Sequence, residues 1–272
     1  VIKARHIPFF VRFFSRYSRN GLKRYFYWAL IPFGFTLISF LQPARGSDCS
    51  NSTVYKGYIS GDMEMWKKGM TELHEAYGKT EAPCMLFTLT EARYGYIGYL
   101  LGVNKKNEAK PLIESFETDI ERLAALPEYK AETEAFRVAL LGFRMELNPA
   151  KTAILGPKTI KQLEKAIAAG STSPAVWIEK ANSEANMPAF AGGSKEKAAT
   201  SFREALRLYE ADPALSPYNW KYLNTIVLLG QTLEKLNDYN GARQAYLKAL
   251  SREPDFRRVR DELLPAVEKK LK

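Results

Sequence analysis

The stretch Asn224–Phe256, NTIVLLGQTLEKLNDYNGARQAYLKALSREPDF, decides the fold. Its apolar residues recur at steps of three and four, the spacing that places them on one face of an α-helix. Ile226, Leu229 and Leu233 mark a first helix, and Ala242, Tyr246 and Ala249 a second. LNDYNG turns the chain between them. Pro254 stops the second helix, because proline has no N–H to continue the hydrogen-bond ladder. Gly230 and Ala242 are small, which lets two helices approach closely.

These eight positions, Ile226, Leu229, Gly230, Leu233, Ala242, Tyr246, Ala249 and Pro254, resemble the signature of the tetratricopeptide repeat, a helix–turn–helix of about 34 residues. Ile226 stands where the repeat usually has Trp. Weaker copies lie upstream, around Tyr94, Ile97, Gly98 and Leu101, around Val138, Leu141, Gly142 and Met145, and around Trp177 and Ala181. The resemblance implies an all-α fold, a right-handed superhelical stack of hairpins at about 84–122, 130–170, 174–211 and 218–252. GDMEMWKKGMTELHEAY, from Gly61, is expected to be an isolated half-repeat, and residues 254–271 a capping helix with a charged outer face. About seven to nine helices are expected in all. Two hairpins carry about five extra residues in their inner loops, LNPAKTAILGPK and NMPAFAGGSKE.

The resemblance also implies a concave groove lined by the first helix of each hairpin, where the family holds peptides or partner helices. The matching candidates are Tyr96, Tyr99, Phe136, Phe143, Asn182, Asn224, Gln231 and Glu234. The cations of the family's carboxylate clamp are absent: its positions hold Tyr99, Ala139, Ile178, Asn182, Val227 and Gln231. Aromatics at one end and amides at the other suit an extended peptide or an amphipathic helix. In the alternative, Tyr94, Tyr96 and Tyr99 pack within their own repeat. The expected function is a non-catalytic protein–protein interaction scaffold. The alternative is a small-ligand accessory protein, whose pocket the aromatic repeat and the long loops close near Tyr96, Tyr99 and Phe143.

Residues 1–46 have a different character. They hold eight Lys and Arg and no acid, so the formal charge of +10 shrinks to 32 cations against 30 carboxylates from Ser47 onward. That even balance argues against nucleic acid as a partner. A basic region, an apolar run from Tyr25 to Leu41, and Ala44 and Gly46 before Ser47 match an export leader cleaved between Gly46 and Ser47. Export to a bacterial periplasm is expected, with a membrane anchor over residues 25–41 as the alternative. No Met precedes Met63, and Leu22 is read as an alternative start. Cys49 and Cys84 are the two cysteines and are expected to pair in an oxidising compartment, with two free thiols as the alternative. No nucleophile–base set, metal-ligand spacing or phosphate loop is legible. No catalytic residue, metal or cofactor is therefore expected.

Overall fold

The computed structural model describes residue 49 and residues 52–215 and 217–272. The chain divides into two units, Val1–Leu41 and Gln42–Lys272, and the described residues belong to the second. The leader expected over residues 1–46 lies outside them.

Eleven α-helices follow one another among the described residues, and no strand is found there. They are α1 (Ser52–Ser60), α2 (Met63–Thr80), α3 (Pro83–Gly102), α4 (Lys106–Leu123), α5 (Lys130–Leu147), α6 (Thr152–Ala169), α7 (Pro174–Asn186), α8 (Lys195–Ala211), α9 (Trp220–Lys235), α10 (Tyr239–Arg252) and α11 (Leu264–Lys270). Neighbours pair as α1/α2, α3/α4, α5/α6, α7/α8 and α9/α10, and the pairs stack into a helical-repeat solenoid. Local chemistry sets the boundaries. Asp62, Ser194, Asn219 and Asp238 each accept a first-turn N–H and so start α2, α8, α9 and α10. Pro83 and Pro174 open α3 and α7, where a missing N–H costs nothing. A π-helical turn, Val259–Leu263, leads into α11 just ahead of Pro265, which cannot donate to the preceding turn.

The last hairpin packs as its residues demand. Ile226, Ala242, Tyr246 and Ala249 are fully buried, with Leu229 and Leu233 beside them, while Pro254 lies exposed after α10. A Cβ on Gly230 would stand 2.4 Å from the ring of Tyr246, so α9 and α10 meet at a distance that only glycine permits.

The N-terminal end departs from expectation. The half-repeat is a full hairpin, because Ser52–Ser60 is helical and packs on α2. This segment is poor in strong helix formers, and tertiary contacts hold it. Val54, Tyr55 and Gly57 are buried. Helix α1 also crosses to the far end of the stack. Tyr58 donates to Asn224 Oδ1 at 3.0 Å, Tyr55 to Glu253 at 2.8 Å, and the Tyr58 ring lies 5.0 Å from Phe256. Beneath it, Trp66 of α2 meets Trp220 of α9 edge-on at 4.8 Å, and its indole N–H donates to the Ala92 carbonyl. The first and last hairpins therefore touch. Cys49 and Cys84 are joined by a disulfide, their Cα atoms 5.8 Å apart, which ties the chain ahead of α1 to the start of α3.

This closure depends on Gly95, where a Cβ would stand 2.6 Å from both Trp66 and Trp220. Gly95→Ala is expected to cost about 1–3 kcal/mol in urea unfolding, as overpacking does. Gly98→Ala, on the same helix with open space around it, should gain about 0.5–1 kcal/mol from helix propensity alone. Equal behaviour of the two variants would refute the role given to the contact.

Candidate functional site

The first helices of four hairpins, α3, α5, α7 and α9, converge on Tyr94. Its ring lies 6.1 Å from Phe136, 5.7 Å from Phe143 and 6.4 Å from Trp220. Its hydroxyl donates to Glu179 Oε1 at 2.7 Å, and Asn182 Nδ2 donates to both the Tyr94 hydroxyl (3.3 Å) and that same carboxylate oxygen (3.4 Å). Beside them Lys221 of α9 is 3% exposed and pairs with Glu91 at 2.9 Å. Its ammonium also sits over the rings of Tyr94 and Phe136.

Burial governs the protonation of this cluster. Desolvation pushes the Glu179 carboxyl up to about 7, although the Tyr94 hydroxyl, Lys221 and Asn182 all pull the other way. Desolvation followed by the Glu179 charge raises the Tyr94 phenol well above its ordinary value. Burial alone would lower Lys221; the Glu91 carboxylate, together with Tyr209 and Glu179, more than offsets it, so the ammonium stays charged.

Next to Glu179 a pocket of about 930 Å³ opens between the α5/α6 hairpin and α7. A small apolar cluster, Ala135, Val138, Ala166, Ala175 and Val176, closes the other end of that interface. Ala139 and Gly142 on α5 and Ala153 and Gly156 on α6 line this space, and a Cβ on either glycine would meet nothing within 4 Å. Both long loops reach its edge: Pro149 from one, and Met187, Pro188, Phe190 and Ala191 from the other. Phe190 is 94% exposed at this rim. The second loop is held in shape by the Gly193 N–H on the Pro188 carbonyl and the Ser194 N–H on the Glu184 carbonyl.

The residues expected in a groove are dispersed. Phe136 is buried core beneath Tyr94, and Tyr96 is buried on the other side of α3, its ring 5.8 Å from the partly exposed Tyr99. Two residues apart on a helix, Tyr94 and Tyr96 face nearly opposite ways. The pocket is therefore lined by Phe143 and Tyr94, and not by Tyr96 or Tyr99. Asn182 lines it as well. Asn224 accepts from Tyr58, and Glu234 accepts from Tyr246 and pairs with Lys270, so both serve packing between helices. Gln231 is half-buried on α9. Glu179, Lys221 and Glu91 were missed. Lys221 carried a signal, a lone cation between Trp220 and Tyr222 on a helix with apolar residues all round. Among the described residues, no group of three His, Cys, Asp or Glu side chains could hold a metal ion, and no helix is long and apolar enough to cross a membrane.

The family model of the tetratricopeptide repeat matches residues 223–256. The chain carries a tetratricopeptide repeat. Its fold is similar to that of the HusA haemophore from Porphyromonas gingivalis, with a TM-score of 0.52 at 20% identity over 70% of this chain and 96% of that one. It is also similar to a thermophilic tetratricopeptide-repeat protein from Thermus thermophilus, with a TM-score of 0.50 at 13% identity over 82% and 99% of the two chains. At these identities the likeness is one of fold. No curated protein matches the chain in sequence. Tetratricopeptide repeats generally mediate protein–protein contacts and are typically non-catalytic, and this chain is built as such a repeat scaffold.

The raised Glu179 carboxyl makes stability depend on pH. Its folded value of about 7 exceeds the ordinary 4.5, so its contribution is fully present below about pH 4.5 and is lost as pH rises through 7. Glu179→Gln keeps an acceptor for Tyr94 and removes that loss. The variant should unfold at higher urea than the parent at pH 8, by on the order of 1–3 kcal/mol, and the difference should vanish near pH 4.5. A difference independent of pH would contradict the assignment.

Proposed function

We propose that the protein is an exported, non-catalytic binding scaffold whose recognition site is the pocket between α5, α6, α7 and the two long loops. One observation carries this. The first helices of the hairpins, which would line an open groove, meet one another around Tyr94, while the α5/α6–α7 interface keeps about 930 Å³ open. That volume falls in the range of small-molecule sites, and its walls follow their pattern: mostly apolar, with polar groups set among them. The walls include Phe143, Met145, Ile160 and Met187; Glu179, Tyr94 and Asn182 form one polar cluster, and Thr152, Thr159, Ser183 and Asn186 add further polar groups to the lining. The pocket is therefore taken to hold an apolar ligand of small-molecule size.

The likeness to a haemophore brings haem forward as a second reading, and two lining thioethers, Met145 and Met187, belong to a ligand type that haem iron accepts. The described walls hold no Lys, Arg or His to meet the carboxylates of haem, which favours the first reading. Export rests on the composition of residues 1–46 and on the Cys49–Cys84 disulfide, a bond that persists in oxidising compartments.

Filling the pocket tests its role. A Cβ at Gly142 or Gly156 meets nothing within 4 Å, and both residues line the cavity. Gly142→Leu and Gly156→Leu should each weaken binding of the neutral fluorophore N-phenylnaphthylamine about tenfold or more, with unfolding temperatures unchanged or raised. Undiminished binding by both would overturn the pocket as the site. A haem-type Soret shift on titration with haemin, lost in both variants, would select haem instead. For export, N-terminal sequencing of the mature protein from an envelope fraction is expected to begin at Ser47; a chain intact upstream of Tyr25 would refute cleavage.

A further inference from the structure

We propose that the ligand is a small hydrophobic cation, an apolar body carrying a protonated or quaternary nitrogen, and that Glu179 is the residue that selects it. This rests on the pocket being the binding site. The charges of the cavity point one way. Among the described lining residues the only ionisable groups besides Tyr94 are two carboxylates, Glu146 and Glu179. Glu146 lies at the exposed rim and is paired with Lys106 at 3.3 Å. Glu179 is 6% exposed and has a hydroxyl and an amide for partners, with no ion pair within 4 Å among the described residues. Both of its hydrogen bonds fall on Oε1, and among the described residues Oε2 takes none.

The interior behind Glu179 does not balance its charge. Lys221 is the cation that influences it from α9, and Lys221 is already paired with Glu91 of α3. Glu132 of α5 and the Tyr209 phenol of α8 face the same region, and Ser173 donates to Glu132. Two carboxylates, Glu91 and Glu179, thus act on one ammonium. A buried carboxylate with an unoccupied oxygen, set at the floor of an apolar cavity, is complementary to a cation whose remaining surface is apolar. The rings of Tyr94 and Phe143, 5.7 Å apart beside it, add faces that attract a cationic nitrogen. A fatty acid or another anion would bring a second negative charge to Glu179 and meet no cation in the described walls.

The same geometry sets a pH dependence. Glu179 is partly protonated near neutrality because burial raises its carboxyl. A bound cation favours the ionised form, so binding should release a proton at pH 6 and strengthen as pH rises toward 8.

The test displaces N-phenylnaphthylamine from the purified protein with octylammonium, octanol and octanoate, three probes of one chain length, each below its micelle threshold. At about pH 8 octylammonium should displace about tenfold better than octanol and more than tenfold better than octanoate. At about pH 5.5 its advantage over octanol should shrink to about threefold or less. In Glu179→Gln the octylammonium-to-octanol ratio should approach one at both pH values, and the wild-type pH series tests the proposal independently of that variant. Octanoate or octanol matching octylammonium at pH 8, with displacement still abolished by Gly142→Leu, would overturn the cation and leave the pocket standing. Absence of fluorophore binding, or binding that Gly142→Leu does not touch, would overturn both.

Discussion

The edge-to-face contact of Trp66 with Trp220 is the constraint on which the rest of the structure depends. A stack of helical hairpins has two free ends, and each neighbour normally meets only the next. Here α1 and α2 carry Tyr55, Tyr58 and Trp66 to α9 and to the segment after α10. The contact joins residues more than 150 positions apart, and α3 packs against both rings at Gly95. Once α3 is there, Tyr94 must lie among the aromatics of α5 and α9, and the inner face becomes core.

That enclosure explains the electrostatics. Polar residues on the first helices, free to face water in an open stack, are confined together. Lys221 and Glu91 answer each other at close range. Among the described residues Glu179 receives a phenol and an amide alone, and desolvation pushes its carboxyl up to about 7. The same closure displaces the open space from the inner face to the seam beside α6, where glycine and alanine on facing helices leave a pocket and two long loops shape its mouth.

Much of the fold was legible, unevenly along the chain. The last hairpin was clear because Gly230 and Tyr246 are a size-matched pair whose spacing follows from helix geometry alone. Helix α1 was not legible, since a short segment of Ser, Thr, Gly and Tyr has no helical preference of its own and becomes helical by packing. Of the residues that line the pocket, Phe143, Asn182 and the two long loops were singled out by repeat position and loop length. Glu179, Lys221 and Glu91 were not, because a charged residue on an amphipathic helix reads as solvent-facing unless another element is known to cover it.

The sequence by itself determined the helical class, the hairpin unit and the position of the loops, because each depends on contacts between residues a few positions apart. Only the tertiary structure decided that the two ends of the stack meet, that Tyr94 rather than Tyr96 lines the cavity, and that the buried Glu179 lines it too. Those outcomes follow from which apolar surfaces bury one another across long chain separations, and periodicity along the chain carries no record of that partner choice.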